Sequence, residues 1–201
     1  MIAWVEWAFF GPVVLACVVA GGSTALLGVF VVGMRIPFLG VCVAHAALAG
    51  SVFAALGGLT GPALLLPAGA AAVVTALLLG SFDPHRVRAD TNVVMGLLFS
   101  LSMGLAFLGI GLFQAVGASR NDALTLLWGD ILLVRWDDVW VMSAAAGACL
   151  LFVLVCWKEL RAILFSREHA AAVGVPAGAV WTGFLVLTAV VTTANFRTVC
   201  G

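Results

Sequence analysis

The sequence predicts an all-α protein, a polytopic transmembrane helical bundle with about six spans. Three observations carry this. Hydrophobic residues make up 64% of the chain and charged residues 9%, with a mean hydropathy of +1.23, more apolar surface than a soluble domain of this length needs. Uncharged runs of about twenty residues recur along it. Within those runs the apolar residues fall on all sides of a helix, as expected in lipid.

The spans follow in order. The first is Ala8–Val32, interrupted only by Pro12 and the small cluster Gly21-Gly22-Ser23. The second, Val41–Leu56, is short for a crossing and relies on tilt or local thinning. Gly57-Gly58-Leu59-Thr60-Gly61-Pro62 is a tight turn. The remaining four are Ala63–Leu79, Val93–Phe113, Val139–Trp157 and Ala177–Ala194. The N-terminus, MIAWVEWAFF, lacks a basic region and carries Glu6, so it is not read as a cleaved signal peptide. The net charge is zero, which gives no reason to expect a nucleic-acid partner. None of the five cysteines, Cys17, Cys42, Cys149, Cys156 and Cys200, forms a CxxC. They read as small buried hydrophobes, not as a disulfide framework.

Orientation follows from the basic residues. Alternating spans place Arg35, Arg86, Arg88, Lys158, Arg161 and Arg167 on one side, six of the nine, and leave Arg120, Arg135 and Arg197 on the other. The richer side is cytoplasmic. Glu6, Asp122, Asp130, Asp137 and Asp138 then lie outside, as do Trp4, Trp7, Trp128, Trp136 and Trp140, placed as an interfacial aromatic belt. Two cytoplasmic segments stand out, the charged loop Ser81–Asn92 and the amphipathic Lys158–Pro176. In the second, Ser166 is expected to cap a short helix running from Arg167 through Ala172 and ended by Gly174.

The stretch Met34–Gly50, MRIPFLGVCVAHAALAG, holds the only histidine at membrane depth. Ala46, Gly50, Ala54 and Gly58 recur every four residues, and small residues at that spacing let another helix approach closely in lipid. His45 lies beside this row. An ionisable group there is expensive and points to function. Two readings stay open: a neutral imidazole bonded to a neighbouring helix, or a metal or proton site. Cys42 lies three residues earlier on nearly the same face, and Cys with His suits zinc and similar ions.

Four motifs in order give the chain a family resemblance. Arg35-x-x-Phe38-x-Gly40-x-x-x-Ala44-His45-Ala46-Ala47-Leu48-Ala49-Gly50 resembles the signature of the membrane subunit of zinc- and manganese-uptake ABC transporters. In that family the Gly is usually followed by Asp; here Val41 stands there, so His45 matches and the Asp is absent. Arg88-Ala89-Asp90-Thr91 with Gly96-Leu97-Leu98-Phe99-Ser100 is a second match. Gly129-Asp130-Ile131-Leu132-Leu133, followed by Trp136 and Asp138, is similar to the family's G-D-I-L-L-V-x-W-x-D. Phe165, Ala170 and Gly174 match its F-D-P-x-x-A-x-x-x-G, with Ser166-Arg167 in place of Asp-Pro.

The resemblance implies a single permease domain over residues 1–201, multi-pass in a bacterial inner membrane. It implies no enzyme activity and no bound cofactor, with a divalent metal ion, zinc or manganese, as cargo. The metal residues would be His45 and Cys42. The segment Phe165, Ser166, Arg167, Ala170 and Gly174 would dock on an ABC ATPase that spends ATP, since this chain has no G-x-x-x-x-G-K-[ST] loop. The implied partners also include an extracytoplasmic metal-binding protein and a second permease copy. Phe196-Arg197-Thr198-Val199-Cys200-Gly201 resembles the start of a segment that leads into further spans in the family, so the expectation is a permease cut short or split. The alternatives are a permease of the vitamin B12 and siderophore class, and a truncated non-transporting membrane protein. An intramembrane hydrolase is disfavoured, because no Ser/His/Asp or paired carboxylate constellation is present.

The topology makes a direct prediction. In a background lacking the native cysteines, Ser119→Cys is expected to react with an impermeant thiol reagent on whole cells and Ser166→Cys to stay protected; the opposite pattern would invert the bundle.

Overall fold

The computed structural model describes residues 2–81, 90–115 and 134–199. Eight α-helices lie among these residues: α1 Ile2–Gly33, α2 Leu39–Leu56, α3 Leu65–Ser81, α4 Thr91–Ala115, α5 Trp136–Val155, α6 Trp157–Phe165, α7 Arg167–Ala172 and α8 Ala177–Val199. Gly61–Leu64 is a 3-10 turn leading into α3. No strand occurs among the described residues. Six stretches are long and apolar enough to cross a membrane: Phe10–Gly33, Leu39–Leu56, Gly61–Ser81, Thr91–Phe113, Trp136–Val155 and Ala177–Asn195. The all-α polytopic bundle stands.

The helix ends differ from the expected ones for local reasons. α1 begins before Ala8 and carries Pro12 within it. α2 starts two residues before Val41, because the Leu39 N–H donates to the Ile36 carbonyl and the Cys42 N–H to that of Phe38. Between α1 and α2, Arg35 adopts a left-handed φ of +59°, a conformation costly for a residue with a Cβ. It is tied to the start of α4: Asn92 Nδ2 donates to the Arg35 carbonyl at 3.1 Å, while the Asn92 N–H donates to Asp90 Oδ1 at 2.9 Å. At α5, Trp136 and Asp137 already belong to the helix, because the Arg135 N–H donates to the Asp138 carboxylate at 3.1 Å. Asp137 and Asp138 occupy the first turn, where negative charge is favourable. The motif acid at 138 is therefore an N-terminal cap.

The core is built around α2. It packs on α3, α4 and α8, and α8 in turn packs on α3, α5 and α1, while α1 packs on α5. The packing uses small residues. A Cβ at Gly50 would lie 2.6 Å from the Pro67 carbonyl oxygen and 2.7 Å from Ala71 Cβ, so α2 and α3 are in backbone contact there. Gly109 of α4 sits against Val52, and a Cβ at Gly80 of α3 would lie 2.8 Å from Thr182 Oγ1 of α8. Such contacts are how helices associate when lipid is as apolar as their side chains. Ala46 and Gly50 of the predicted small row serve this packing, but Gly58 does not. It lies beyond α2 with φ +88°, and it turns the chain because glycine tolerates that region.

Leu39, Cys42, Val43, Ala72, Ala76, Leu79, Met95, Leu160, Phe184 and Leu185 fill the main core. Polar side chains inside it bond locally, Thr75 to the Ala71 carbonyl, Thr188 to Phe184 and Thr193 to Ala189, as hydroxyls in apolar helices do. Asn195 Nδ2 donates to Ser23 Oγ at 3.0 Å and joins α8 to α1. Of the described cysteines, Cys42 and Cys149 are buried as expected. Cys17 is exposed on α1, where all-round hydropathy does not tell an inward face from an outward one.

Gly50→Val is expected to lower stability by about 1–3 kcal/mol through overpacking against Pro67. Gly104→Ala, where a Cβ meets nothing within 4 Å, is expected to gain up to about 1 kcal/mol of helix propensity. Thermal unfolding in detergent checks the pair.

Candidate functional site

Two places carry the sequence-predicted site residues. The first is the N-terminal half of α2. Cys42 is fully buried in the main core. His45, one turn on, is half-buried and turns toward α4, where its ring meets Phe99 edge to face at 4.8 Å. Phe99 in turn meets Phe38 at 5.6 Å, so the imidazole ends an aromatic row. His45 Nδ1 lies 2.9 Å from the Val41 carbonyl oxygen. A carbonyl only accepts, so Nδ1 carries the proton and, in a neutral ring, Nε2 keeps its lone pair. Among the described residues the imidazole bonds to its own helix, where one expectation was a bond to a neighbouring helix. Among the described residues no three His, Cys, Asp or Glu gather into a possible metal cage.

The second place is the hairpin α6–α7 between α5 and α8. Leu160 and Ile163 are buried and hold α6 against the core. The opposite side of α6 carries Trp157, Lys158, Arg161 and Phe165, all exposed. Phe165 is 84% exposed. α7 then begins as the sequence predicts. Ser166 is extended, and its Oγ accepts the His169 N–H at 3.2 Å, satisfying an otherwise orphaned donor. Ala170 is 1% exposed and belongs to the main core. Gly174 ends the turn at φ +85°, with its N–H donating to the Ala171 carbonyl and that of Val175 to Ala170. Ala170 thus anchors the hairpin, Gly174 ends its second helix, and Phe165 is its projecting residue. The guanidinium of Arg167 lies over the Trp181 ring, 5.2 Å from its centroid.

Sequence reasoning missed Phe99 and Trp181. Phe99 lay inside a quoted motif and Trp181 near the start of a span, but uniform hydropathy gives no signal for which side chain meets which. The residues of the loop containing Arg86 and Arg88, and Gly129-Asp130-Ile131-Leu132-Leu133 with Trp128, lie outside the described residues.

Comparison with known proteins completes the picture. The chain is 26% identical over 195 residues to the manganese transport system membrane protein MntC of Halalkalibacterium halodurans, covering 96% of this chain and 64% of that protein. It is 28% identical over 192 residues to the chelated iron transport system membrane protein YfeD of Yersinia pestis, covering 95% of this chain and 62% of that one. The chain therefore spans somewhat less than two thirds of these curated relatives. The solved structure of PsaBC from Streptococcus pneumoniae in complex with Fab superposes with a TM-score of 0.75 at 21% identity, covering 100% of this chain and 71% of that one; this likeness is one of fold. Residues 6–200 match the ABC 3 transport family. With six apolar helices and a match over nearly its full length, the chain is a multi-pass protein of the bacterial plasma membrane and belongs to the ABC 3 transport family, the metal-type ABC permeases.

Proposed function

We propose that this chain lines the ion path of an importer for a divalent metal ion, zinc or manganese, and takes its drive from a separate ATPase. The observation that carries the reading is the α6–α7 hairpin. It leaves Phe165 exposed on a short helix pair whose inner residues, Leu160, Ile163 and Ala170, are packed in the core. An exposed aromatic on a rigid base suits a partner pocket, since such anchors dominate docking energy. Ser166 and Arg167 complete the docking segment, and Gly174 sets its end.

On this reading an extracytoplasmic binding protein delivers the ion, two permease copies form the path, and ATP is consumed by the partner subunit. The ion is cargo and not a resident cofactor. Within the path His45 offers Nε2, its other nitrogen being oriented by the Val41 carbonyl in the way outer partners orient metal-binding imidazoles. Cys42 is the nearest soft donor in sequence. A thiolate with an imidazole favours zinc over manganese, while the manganese relatives support the latter. A second reading is supported by the chelated-iron relative: a metal carried as a chelate, with His45 serving only to pack on Phe99.

Two measurements test these roles. Phe165→Asp places a charge in an apolar contact, costing roughly 2 kcal/mol or more, so ATPase co-purification and transport-linked ATP turnover are expected to fall sharply. Normal values would make the hairpin a linker. Radioactive zinc and manganese uptake by His45→Gln, at matched membrane abundance, is expected to drop at least about tenfold, as loss of a metal-site group does. Normal uptake in both His45→Gln and Cys42→Ser would leave the two as packing residues and favour the chelate reading.

A further inference from the structure

Trp181 is 8% exposed and sits in the first turns of α8. Its Nε1 is buried and meets no hydrogen-bond acceptor among the described residues. No hydrogen bond among the described residues holds the indole. It is held by shape within the main core and by the Arg167 guanidinium over its face. Arg167 is the first residue of α7, the helix on which the docking segment is built. The stack therefore joins the cytoplasmic hairpin to a transmembrane helix.

Two features tie the hairpin firmly to α8. A bulky side chain more than nine-tenths buried in a close-packed core does not move without its backbone. The link from α7 to α8 is closed by successive backbone bonds, Val175 N–H to the Ala170 carbonyl, Ala177 N–H to Val175 and Val180 N–H to Pro176. On the other side of the hairpin α5 and α6 meet at Cys156, across which the Cys156 N–H still donates to the Phe152 carbonyl and the Leu160 N–H to that of Cys156. α8 then distributes displacement widely. Thr182 meets Gly80 of α3, Gly183 meets Phe152 of α5, and Phe184 meets Phe30 of α1 edge to face at 6.0 Å. α8 also packs on α2, the helix that carries His45.

We propose that Trp181 is a positioning residue for transport: the Arg167–Trp181 stack conveys movement of the docking hairpin into α8, and through α8 to α2. This rests on the reading of the hairpin as an ATPase-docking segment. A push on Phe165 and α7 loads the indole, and the indole loads the helix that touches four other spans. Trp181 touches neither the ion nor the ATPase, so its role is visible in coupling and not in assembly.

The test uses the full chain reconstituted with its ATPase subunit, and it reads three quantities: ATPase co-purification, ATP turnover and zinc or manganese ions moved per ATP. Trp181→Leu is expected to keep co-purification and turnover while ions per ATP fall roughly 2- to 30-fold, the range by which residues on a coupling route act. Trp181→Phe, which keeps an aromatic face for the cation, is expected to restore most of the ratio. Should Trp181→Leu reduce membrane abundance, Trp181→Met, which keeps the bulk and removes the aromatic face, carries the test, because the ratio is independent of how much complex assembles. An unchanged ratio in Trp181→Leu, or in Trp181→Met where that variant carries the test, overturns the inference while leaving the docking role intact. Failure of the wild-type chain to assemble with the ATPase overturns both.

Discussion

The backbone contact between α2 and α3 at Gly50 is the constraint on which the rest of the bundle depends. Lipid gives a helix no hydrophobic gain for leaving it, so spans associate through close packing and a few polar contacts. Where Gly50 meets the Pro67 carbonyl and Ala71, a single added carbon would separate the helices. Their approach allows α4 to close on the other side of α2, with Gly109 against Val52, and α8 to close on α3 through Gly80 and Thr182. α2 is thereby enclosed by three spans. The imidazole at 45 is half-buried, with its ring against Phe99 of α4.

That enclosure shapes what His45 can do. The Val41 carbonyl fixes the proton on Nδ1 and Phe99 fixes the ring plane, so the remaining nitrogen is presented in one orientation. Valine at 41 contributes no side-chain ligand, yet its backbone supplies the group that sets the tautomer. Position 41 thus acts on the imidazole whatever its side chain. Cys42 occupies the opposite kind of environment, fully buried among Leu39 and Val43.

At the α6–α7 hairpin the logic is that of a short helix that cannot stand alone. Six residues of α7 are too few to be stable in water by propensity. Ser166 satisfies an orphaned amide, Gly174 lets the chain reverse, and Ala170 is drawn into the core. With the inner residues pinned, Phe165 at the end of α6 has no place among them and stands outside. Its exposure follows from the anchoring of its neighbours, and so does the seat of Arg167 over Trp181.

The sequence by itself determined the class of the protein, six apolar helices, the family motifs and the cap-and-glycine frame of α7, since each is local: a run length, a spacing, a serine before a helix or a glycine after it. It also placed Ala46 and Gly50 on a packing face. It could not separate Gly58, a turn residue, from that row, because periodicity does not mark where a helix stops. Only the tertiary structure decided that His45 meets Phe99 and bonds to Val41, that Cys42 is sealed in the core, and that Trp181 underlies Arg167. The reason is physical. In a chain apolar on all faces the hydrophobic pattern carries no information about which face meets which, so pairing is left to the shapes of small and large side chains at contacts far apart in sequence.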